Sequence, residues 1–346
     1  MREQEAVIRE PADFDGYWAR VLEEVRGHSP RVVVERWENE DPRYEDEYIV
    51  DGLPAGTPGE EEQPGGTGDA GRGINPFDVR WGAHTLLAGM TVRKVTFDAP
   101  DGRQVGGLLQ VPRWSGRDRF PGIVHFTGYG GELLVDQDFV SRGYAVFNFS
   151  HRGMYLGSEG FDRYRPVPLL VRDVEDRSRY AYRGIVADCL AAIRLVRTFD
   201  RVEPTRIGVM GTSQGGGLAV ITAALDREVR AVSADLPWLT DFQYQLRNRV
   251  EGPYTELKEF FARFPEKRAA ALETLGYFDA LFFAGRLRAP ALVSLGQSDT
   301  TCPPDSVRTL FGRIPSVKML LEIPGMGHER STLWRGQTQG WFAYYI

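Results

Sequence analysis

Cysteine is scarce in this sequence, and residues that could bind a metal are not grouped. Only Cys189 and Cys302 occur in 346 residues, so disulfide bonds are not expected to stabilise the fold. A bond between these two is not expected in a reducing compartment. Histidine, cysteine and carboxylate residues do not cluster at the spacing of metal ligands, so neither a metal ion nor another cofactor is expected.

Basic clusters and long apolar runs are missing as well. The net charge is -6 and no block of basic residues occurs, which argues against nucleic acids and anionic membrane surfaces as partners. No apolar run is long enough to span a bilayer, and residues 1–10 lack the apolar core of a signal peptide. A cytoplasmic location is therefore expected.

The most informative feature that is present is a short apolar strand running into residues 211–215 (Gly-Thr-Ser-Gln-Gly) and then into an apolar stretch with helical character. This is the pattern of a nucleophile elbow, in which a tight turn exposes the serine hydroxyl to a base and to backbone N–H donors. The flanking Gly211 and Gly215 fit a turn that leaves no room for a Cβ atom. Because the chain contains 39 glycines, a glycine-rich turn without a catalytic serine remains the alternative.

A catalytic Ser213 needs a base, and the sequence contains five histidines. His328 follows the predicted strand 319–323 on a glycine-containing loop, downstream of the other motifs, which is where an α/β-hydrolase carries its base. His151, after the predicted strand 144–149, is the alternative base. The remaining three are His28, expected at the surface, His84, without an assignment, and His125, expected to be structural within a strand.

The third residue of a catalytic triad is a carboxylate that orients the histidine. Asp299 follows the predicted strand 291–295 and gives the chain order Ser, Asp, His, which is typical of α/β-hydrolases. Asp235, at the end of the predicted strand 231–235, is the main alternative, and it could instead only cap the next turn. Less suitable acids are Glu322, which lies inside a strand, and Glu329, which adjoins the base.

The periodicities predict a doubly wound, mostly parallel α/β sheet. Residues 91–97 and 104–111 alternate across Asp101-Gly102 and predict a hairpin at its antiparallel start. Further strands are predicted at 122–126, 144–149, 206–210, 231–235, 291–295 and 318–323, with helices between them. Asp13 is expected to cap an N-terminal helix with one apolar face, and Cys189 to lie in the core on a later helix.

The chain is divided by these patterns into three parts. Residues 1–51 form an N-terminal helix and an acidic extension, residues 52–90 a Gly/Pro-rich insertion whose composition cannot bury a core, and residues 91–346 the catalytic domain. Within the last part, residues 238–277 are predicted to form a helical lid. The insertion is interpreted as a tolerated surface loop, with a flap over the site or an oligomer contact as alternatives.

Several strings of residues, in this order, resemble the acetyl xylan esterase and cephalosporin C deacetylase family. They are residues 125–131 (HFTGYGG), 151–153 (HRG), 182–184 (YRG), 211–217 (GTSQGGG), 234–239 (ADLPWL), 277–279 (YFD), 299–304 (DTTCPP) and 327–329 (GHE). The resemblance implies an α/β-hydrolase with Ser213 as nucleophile, His328 as base and Asp299 as its orienting acid. It also implies a homo-oligomer.

The resemblance places the oxyanion hole on the backbone N–H groups of Tyr129 and Gln214. These positions also suit the chemistry, because the donors come from the residue after the nucleophile and from the loop after an early strand. Packing on the lid is a further role expected of the Tyr129 ring.

Residues around the site differ from the family or are assigned only by it. Met154 stands where family members usually have glutamine, which affects the expected substrate choice. Pro237 and Trp238 resemble positions that wall the acyl pocket, with ordinary loop packing as the alternative. Arg152 is expected to be a buried ion-pair partner that shapes its loop.

Together these features predict a serine carboxylester hydrolase that removes small acyl groups, with acetyl favoured, from a sugar or secondary metabolite. The predicted partner is a small-molecule ester. Three alternatives remain open: an acyltransferase, a lyase or isomerase of natural-product biosynthesis on the same scaffold, and a non-catalytic binding protein.

Overall fold

Helices and strands alternate along most of the chain, as the sequence predicts. The computed structural model describes residues 7–36, 89–113, 116–131, 133–154, 168–248 and 251–346. The described strands are β1 (Val32–Arg36), β2 (Met90–Asp98), β3 (Gln104–Pro112), β4 (Phe120–Phe126), β5 (Ala145–Ser150), β6 (Val202–Thr212), β7 (Ala231–Asp235), β8 (Ala291–Gly296) and β9 (Lys318–Ile323). The described helices are α1 (Phe14–Gly27), α2 (Gln137–Val140), α3 (Ala181–Val196), α4 (Gln214–Leu225), α5 (Phe242–Arg247), α6 (Thr255–Arg263), α7 (Arg268–Leu275), α8 (Ala280–Ala284), α9 (Pro304–Arg313) and α10 (Thr332–Tyr345).

The strands form one sheet with the order β1-β2-β3-β5-β4-β6-β7-β8-β9. Pairing is antiparallel from β1 through β3 to β5 and parallel from β5 to β9. The strand order reverses around β4, as in a doubly wound sheet, so the carboxyl ends of the parallel strands meet at one edge. The predicted mostly parallel α/β sheet is confirmed.

The hairpin at the start of the sheet is also confirmed. Thr91 pairs with Val111 and Phe97 with Val105. Gly102 adopts φ +82° in the turn, a conformation that L side chains rarely adopt. Strand β1 was not predicted; it adds an antiparallel edge to β2.

Helix α1 docks on the main body through its apolar face, as expected. Phe14 and Trp18 are each 1% exposed, and the Trp18 indole donates to the Tyr277 carbonyl at 3.0 Å. The expected capping by Asp13 is wrong, because its side chain makes no cap hydrogen bond although it occupies the N-cap position. The Asp13 carboxylate instead accepts from the Tyr277 hydroxyl and lies 3.5 Å from Arg177.

The segment predicted as a lid contains α5, α6 and α7, which separate β7 from β8. Its Tyr254 is buried and packs on Trp238, with ring centroids 5.1 Å apart. This segment therefore adds apolar packing near the carboxyl ends of the strands, while its function as a lid stays a prediction. The acidic stretch before the Gly/Pro-rich insertion, that insertion up to residue 88, and His84 all lie outside the described residues.

Cys189 lies in the core, as the sequence predicts. Cys189, on α3, and Cys302 are both buried free thiols. Within the described ranges, none of the helices has the length and apolar character needed to cross a membrane.

Candidate active site

Ser213 occupies a sharp turn between β6 and α4. Its backbone has φ 58° and ψ -119°, which is a strained conformation for a residue with a side chain. The flanking glycines explain how this turn is accommodated: a Cβ on Gly211 would lie 2.5 Å from the Gly215 carbonyl carbon, and one on Gly215 would lie 2.2 Å from the Phe126 oxygen. The turn therefore has the close backbone approach that the sequence pattern predicts.

The loop after β7 holds the same turn from the other side. The Ser213 N–H donates to the Asp235 carbonyl at 2.8 Å, and the Trp238 N–H donates to the Ser213 carbonyl at 2.9 Å. A Cβ on Gly217 would lie 1.9 Å from the Trp238 oxygen. The glycine run thus lets α4 begin against this loop, which fixes where the serine side chain projects.

The three residues predicted as a triad form one continuous hydrogen-bonded chain. His328 Nε2 lies 3.0 Å from Ser213 Oγ, and His328 Nδ1 lies 2.8 Å from Asp299 Oδ2. Asp299 Oδ1 accepts from the backbone N–H groups of Thr301 and Cys302, each at 2.8 Å. The carboxylate is therefore fixed in the position that keeps the proton on Nδ1 and leaves Nε2 able to accept the serine proton.

The alternative acids have other partners. Asp235 accepts from the hydroxyls of Thr212, at 2.9 Å, and Ser294, and burial raises its pKa to about 6. Glu322 pairs with Arg308 at 2.9 Å. Glu329 is exposed and borders the cavity described below. Among the candidate acids, Asp299 is the one that the described structure hydrogen-bonds to the histidine.

The alternative base, His151, is buried and hydrogen-bonds groups other than the Ser213 hydroxyl. Its Nδ1 lies 2.7 Å from the Arg152 carbonyl, to which it donates, so Nε2 accepts from the side-chain amide of Gln214 at 2.7 Å. Burial lowers the pKa of His151 to about 4, which keeps the ring neutral. The Gln214 side chain also accepts from the Tyr182 hydroxyl at 2.6 Å. These contacts hold the residue whose backbone N–H is predicted for the oxyanion hole.

Gln214 is the first residue of α4, where backbone N–H groups have no partner inside the helix. The other predicted donor, Tyr129, lies on the loop after β4. Its hydroxyl donates to Glu256 Oε1 at 2.8 Å and accepts from the Leu169 N–H at 2.9 Å. The Tyr129 ring thus contacts α6 of the predicted lid, and its oxyanion role stays a prediction.

A cavity of about 260 Å³ contains Ser213 and His328. The three residues that the sequence assigns to substrate binding, Pro237, Trp238 and Met154, are not part of its described lining. Trp238 is fully buried and packs on Tyr129, with ring centroids 5.2 Å apart, and Met154 is buried in the main core. Pro237 does not line the cavity either. The structure favours ordinary packing for these positions, because their side chains are already covered by protein.

Arg152 is the buried ion-pair partner that the sequence predicts. Its guanidinium donates to Asp188 at 2.7 and 2.8 Å and to Asp101 at 2.6 and 2.9 Å. Asp188 is fully buried on α3, and Arg152 lies in the loop after β5. The ion pair between them therefore links that helix to that loop. The link also supports the carbonyl that orients His151.

A second polar cluster, which the sequence analysis missed, lines the same cavity. His125 Nδ1 lies 2.8 Å from Asp136 Oδ2, and Arg335 on α10 donates to Asp136 Oδ1 at 2.7 Å. His125 was expected to be a structural residue within a strand, and it is buried. Its position in the wall of the cavity was not predicted. No local spacing signals this cluster, because its members come from a strand, a loop and the last helix.

The one group of possible metal ligands in the described chain combines two triad residues with Cys302. Ligand atoms of Asp299, Cys302 and His328 are all within 4.8 Å of one another. Burial raises the pKa of the Cys302 thiol well above its usual value, and the other two residues already share a hydrogen bond. A cation would have to displace that bond, so the arrangement suits proton transfer better than metal binding.

Comparisons with known proteins agree with this fold. The family described as acetyl xylan esterase (AXE1) matches residues 83–344. Acetyl esterase Axe7A of Xylanibacter ruminicola is 32% identical over 157 residues, which are 45% of this chain and 34% of that protein. The chain therefore matches about a third of the length of this curated relative.

Two solved structures resemble the whole chain. An acetyl xylan esterase from a Paenibacillus species has a TM-score of 0.77 at 23% identity, covering 98% of this chain and 96% of that one. Acetyl xylan esterase 1 from a Thermoanaerobacterium species has a TM-score of 0.75 at 23% identity, covering 99% and 98%. At this identity the structures support the α/β-hydrolase fold, and the family match covers most of the sequence. The chain belongs to the acetyl xylan esterase family.

Proposed function

We propose that the protein is a serine carboxylester hydrolase that removes small acyl groups, with acetyl preferred, from a hydroxyl-bearing alcohol such as a sugar or a secondary metabolite. The observation that carries the proposal is the hydrogen-bonded chain from Ser213 through His328 to Asp299. Membership of the acetyl xylan esterase family supports the choice of an acetyl ester.

The proposed reaction follows from the protons that these atoms can move. His328 Nε2 takes the proton of Ser213 while Oγ attacks the ester carbonyl carbon. The resulting oxyanion accepts hydrogen bonds from the backbone N–H groups of Tyr129 and Gln214. His328 then protonates the departing alcohol, which leaves an acyl group on Ser213.

Deacylation repeats the same proton transfers with water. His328 removes a proton from water, the hydroxide attacks the acyl carbon, and Ser213 leaves with the proton from His328. Throughout, Asp299 accepts the Nδ1–H bond and stabilises the imidazolium. The products are the free acid and the regenerated serine.

A chain-length series of p-nitrophenyl esters tests this proposal. The wild type is expected to cleave the acetate faster than the butyrate and octanoate, and Ser213→Ala is expected to abolish the cleavage of all three. Equal cleavage by wild type and Ser213→Ala would refute the nucleophile. Adding an acceptor alcohol separates hydrolysis from acyl transfer, because a transferase forms the new ester at the expense of free acid.

A further inference from the structure

The cavity that holds Ser213 and His328 has polar walls that the proposed hydrolysis does not use. His125, Thr127, Asp136, Asn148 and Trp334 all line it. None of them is more than 5% exposed. Polar groups this deeply buried destabilise a fold unless their hydrogen bonds are satisfied.

Most of this wall is a satisfied network centred on Asp136. Its carboxylate accepts from His125 Nδ1 at 2.8 Å, from Arg335 at 2.7 Å and from Asn148 at 3.4 Å. Burial alone would raise the pKa of Asp136, but His125 and Arg335 hold it well below its usual range. The ionised Asp136 carboxylate accepts a hydrogen bond from His125 Nδ1 and so fixes the orientation of the ring.

Three polar atoms of the same wall have no partner among the described residues. Thr127 Oγ1 and Trp334 Nε1 lack a hydrogen bond, but both are closed off by protein, so a ligand in the cavity does not reach them. His125 makes its hydrogen bond through Nδ1, which leaves Nε2 unpaired within the described chain. His125 Nε2 is not among these closed-off atoms, and a ligand group that can both donate and accept hydrogen bonds, such as a hydroxyl, would stabilise it.

We propose that His125 forms a subsite that binds a free hydroxyl group on the alcohol part of the ester and thereby determines specificity. This inference rests on the proposed esterase function, because the subsite shares a cavity with Ser213. His125 Nε2 hydrogen-bonds this hydroxyl, while Asp136 holds the ring through Nδ1. The substrate class is therefore the acyl esters of alcohols that keep unesterified hydroxyls close to the ester.

Two ester substrates with the same number of carbon atoms isolate the contribution of free hydroxyl groups to recognition. Glycerol monoacetate carries two free hydroxyls, and propyl acetate carries none. We expect the wild type to have the higher kcat/KM for glycerol monoacetate, with the difference mainly in KM. Acid release in a pH-stat measures both reactions.

Two variants of His125 separate its two nitrogen atoms. His125→Asn keeps an amide close to the Nδ1 position, where it can donate to Asp136, and removes the Nε2 atom. His125→Gln places an amide closer to the Nε2 position. We expect His125→Asn to lower the selectivity ratio, glycerol monoacetate over propyl acetate, by about three- to tenfold, which is the loss of one net hydrogen bond. His125→Gln should restore most of the ratio, and the control His28→Asn, outside the cavity, should keep it.

The outcomes distinguish this inference from the esterase proposal. A wild type without selectivity, or a His125→Asn variant with an unchanged ratio, overturns the subsite while Ser213-dependent cleavage still stands. If the wild type cleaves neither ester, the esterase proposal fails, and an NMR titration of Ser213→Ala with xylitol tests the subsite without turnover. Binding that His125→Asn weakens supports the subsite, and absent or unaffected binding overturns it. Circular dichroism of each variant verifies that the fold is retained.

Discussion

Replacing Asp299 with asparagine is expected to disable the enzyme without disturbing its geometry. Asp299 Oδ1 accepts two backbone N–H groups, so the carbonyl of the asparagine must take that place. The amide nitrogen then faces His328 Nδ1, where it can only donate. The imidazole proton therefore moves to Nε2, which lies 3.0 Å from Ser213 Oγ and can no longer accept the serine proton.

The expected loss is about 10⁴-fold in kcat, because a change of tautomer in a serine triad has an effect of this size. It corresponds to about 5.4 kcal/mol of the activation barrier. The assay is the steady-state cleavage of p-nitrophenyl acetate. Urea denaturation should show an almost unchanged midpoint, since the two backbone hydrogen bonds remain.

Asp235→Asn is the matched control. Asp235 is a buried carboxyl close to the same turn, but its oxygens bind hydroxyl groups and not the imidazole. This variant should keep a kcat comparable to that of the wild type. An Asp299→Asn enzyme with kcat within about tenfold of the wild type, or an Asp235→Asn enzyme with the larger loss, would refute the assignment of the orienting acid.

Three further predictions concern stability. Burial raises the pKa of Glu256 from 4.5 to about 7, so ionisation of this carboxyl destabilises the folded state as pH rises toward 7. Glu256→Gln should therefore raise the urea midpoint more at pH 8 than at pH 5. Equal effects at the two pH values would contradict this. Arg152→Leu leaves the buried Asp188 carboxylate without its partner and should lower the free energy of unfolding by about 3–5 kcal/mol in urea titrations, with recovery when Asp188→Leu is added. Gly217→Ala forces a Cβ to 1.9 Å from the Trp238 carbonyl oxygen and should strongly lower the melting temperature. Gly340→Ala has open space around its Cβ and should raise the melting temperature slightly, because alanine favours a helix over glycine. Similar shifts for the two variants would disprove the clash.

The sequence predicted the central sheet because its strands are buried on both faces and read as apolar runs. The predicted strands at 122–126, 231–235 and 291–295 differ from β4, β7 and β8 by two residues at most. Strand β1 could not be predicted in this way, because it is a five-residue edge strand whose valines are partly exposed. Its pairing depends on β2, which lies more than fifty residues away in the chain.

The triad residues could be selected from the sequence because each follows a recognisable strand at the same edge of the sheet. The supporting contacts could not, because they join distant parts of the chain. Gln214 is held by His151 and Tyr182, and Asp136 by His125 and Arg335, through side chains whose directions depend on tertiary packing. The capping expected of Asp13 failed for the same reason, because a tyrosine from a distant loop competes for its carboxylate.

The hydrogen bond between the Tyr129 hydroxyl and Glu256 connects the loop after β4 with helix α6. If the backbone N–H of Tyr129 stabilises the oxyanion, the position of that donor depends on α6 through this bond. A change on α6 that breaks the bond would then slow the reaction without touching the described lining of the cavity.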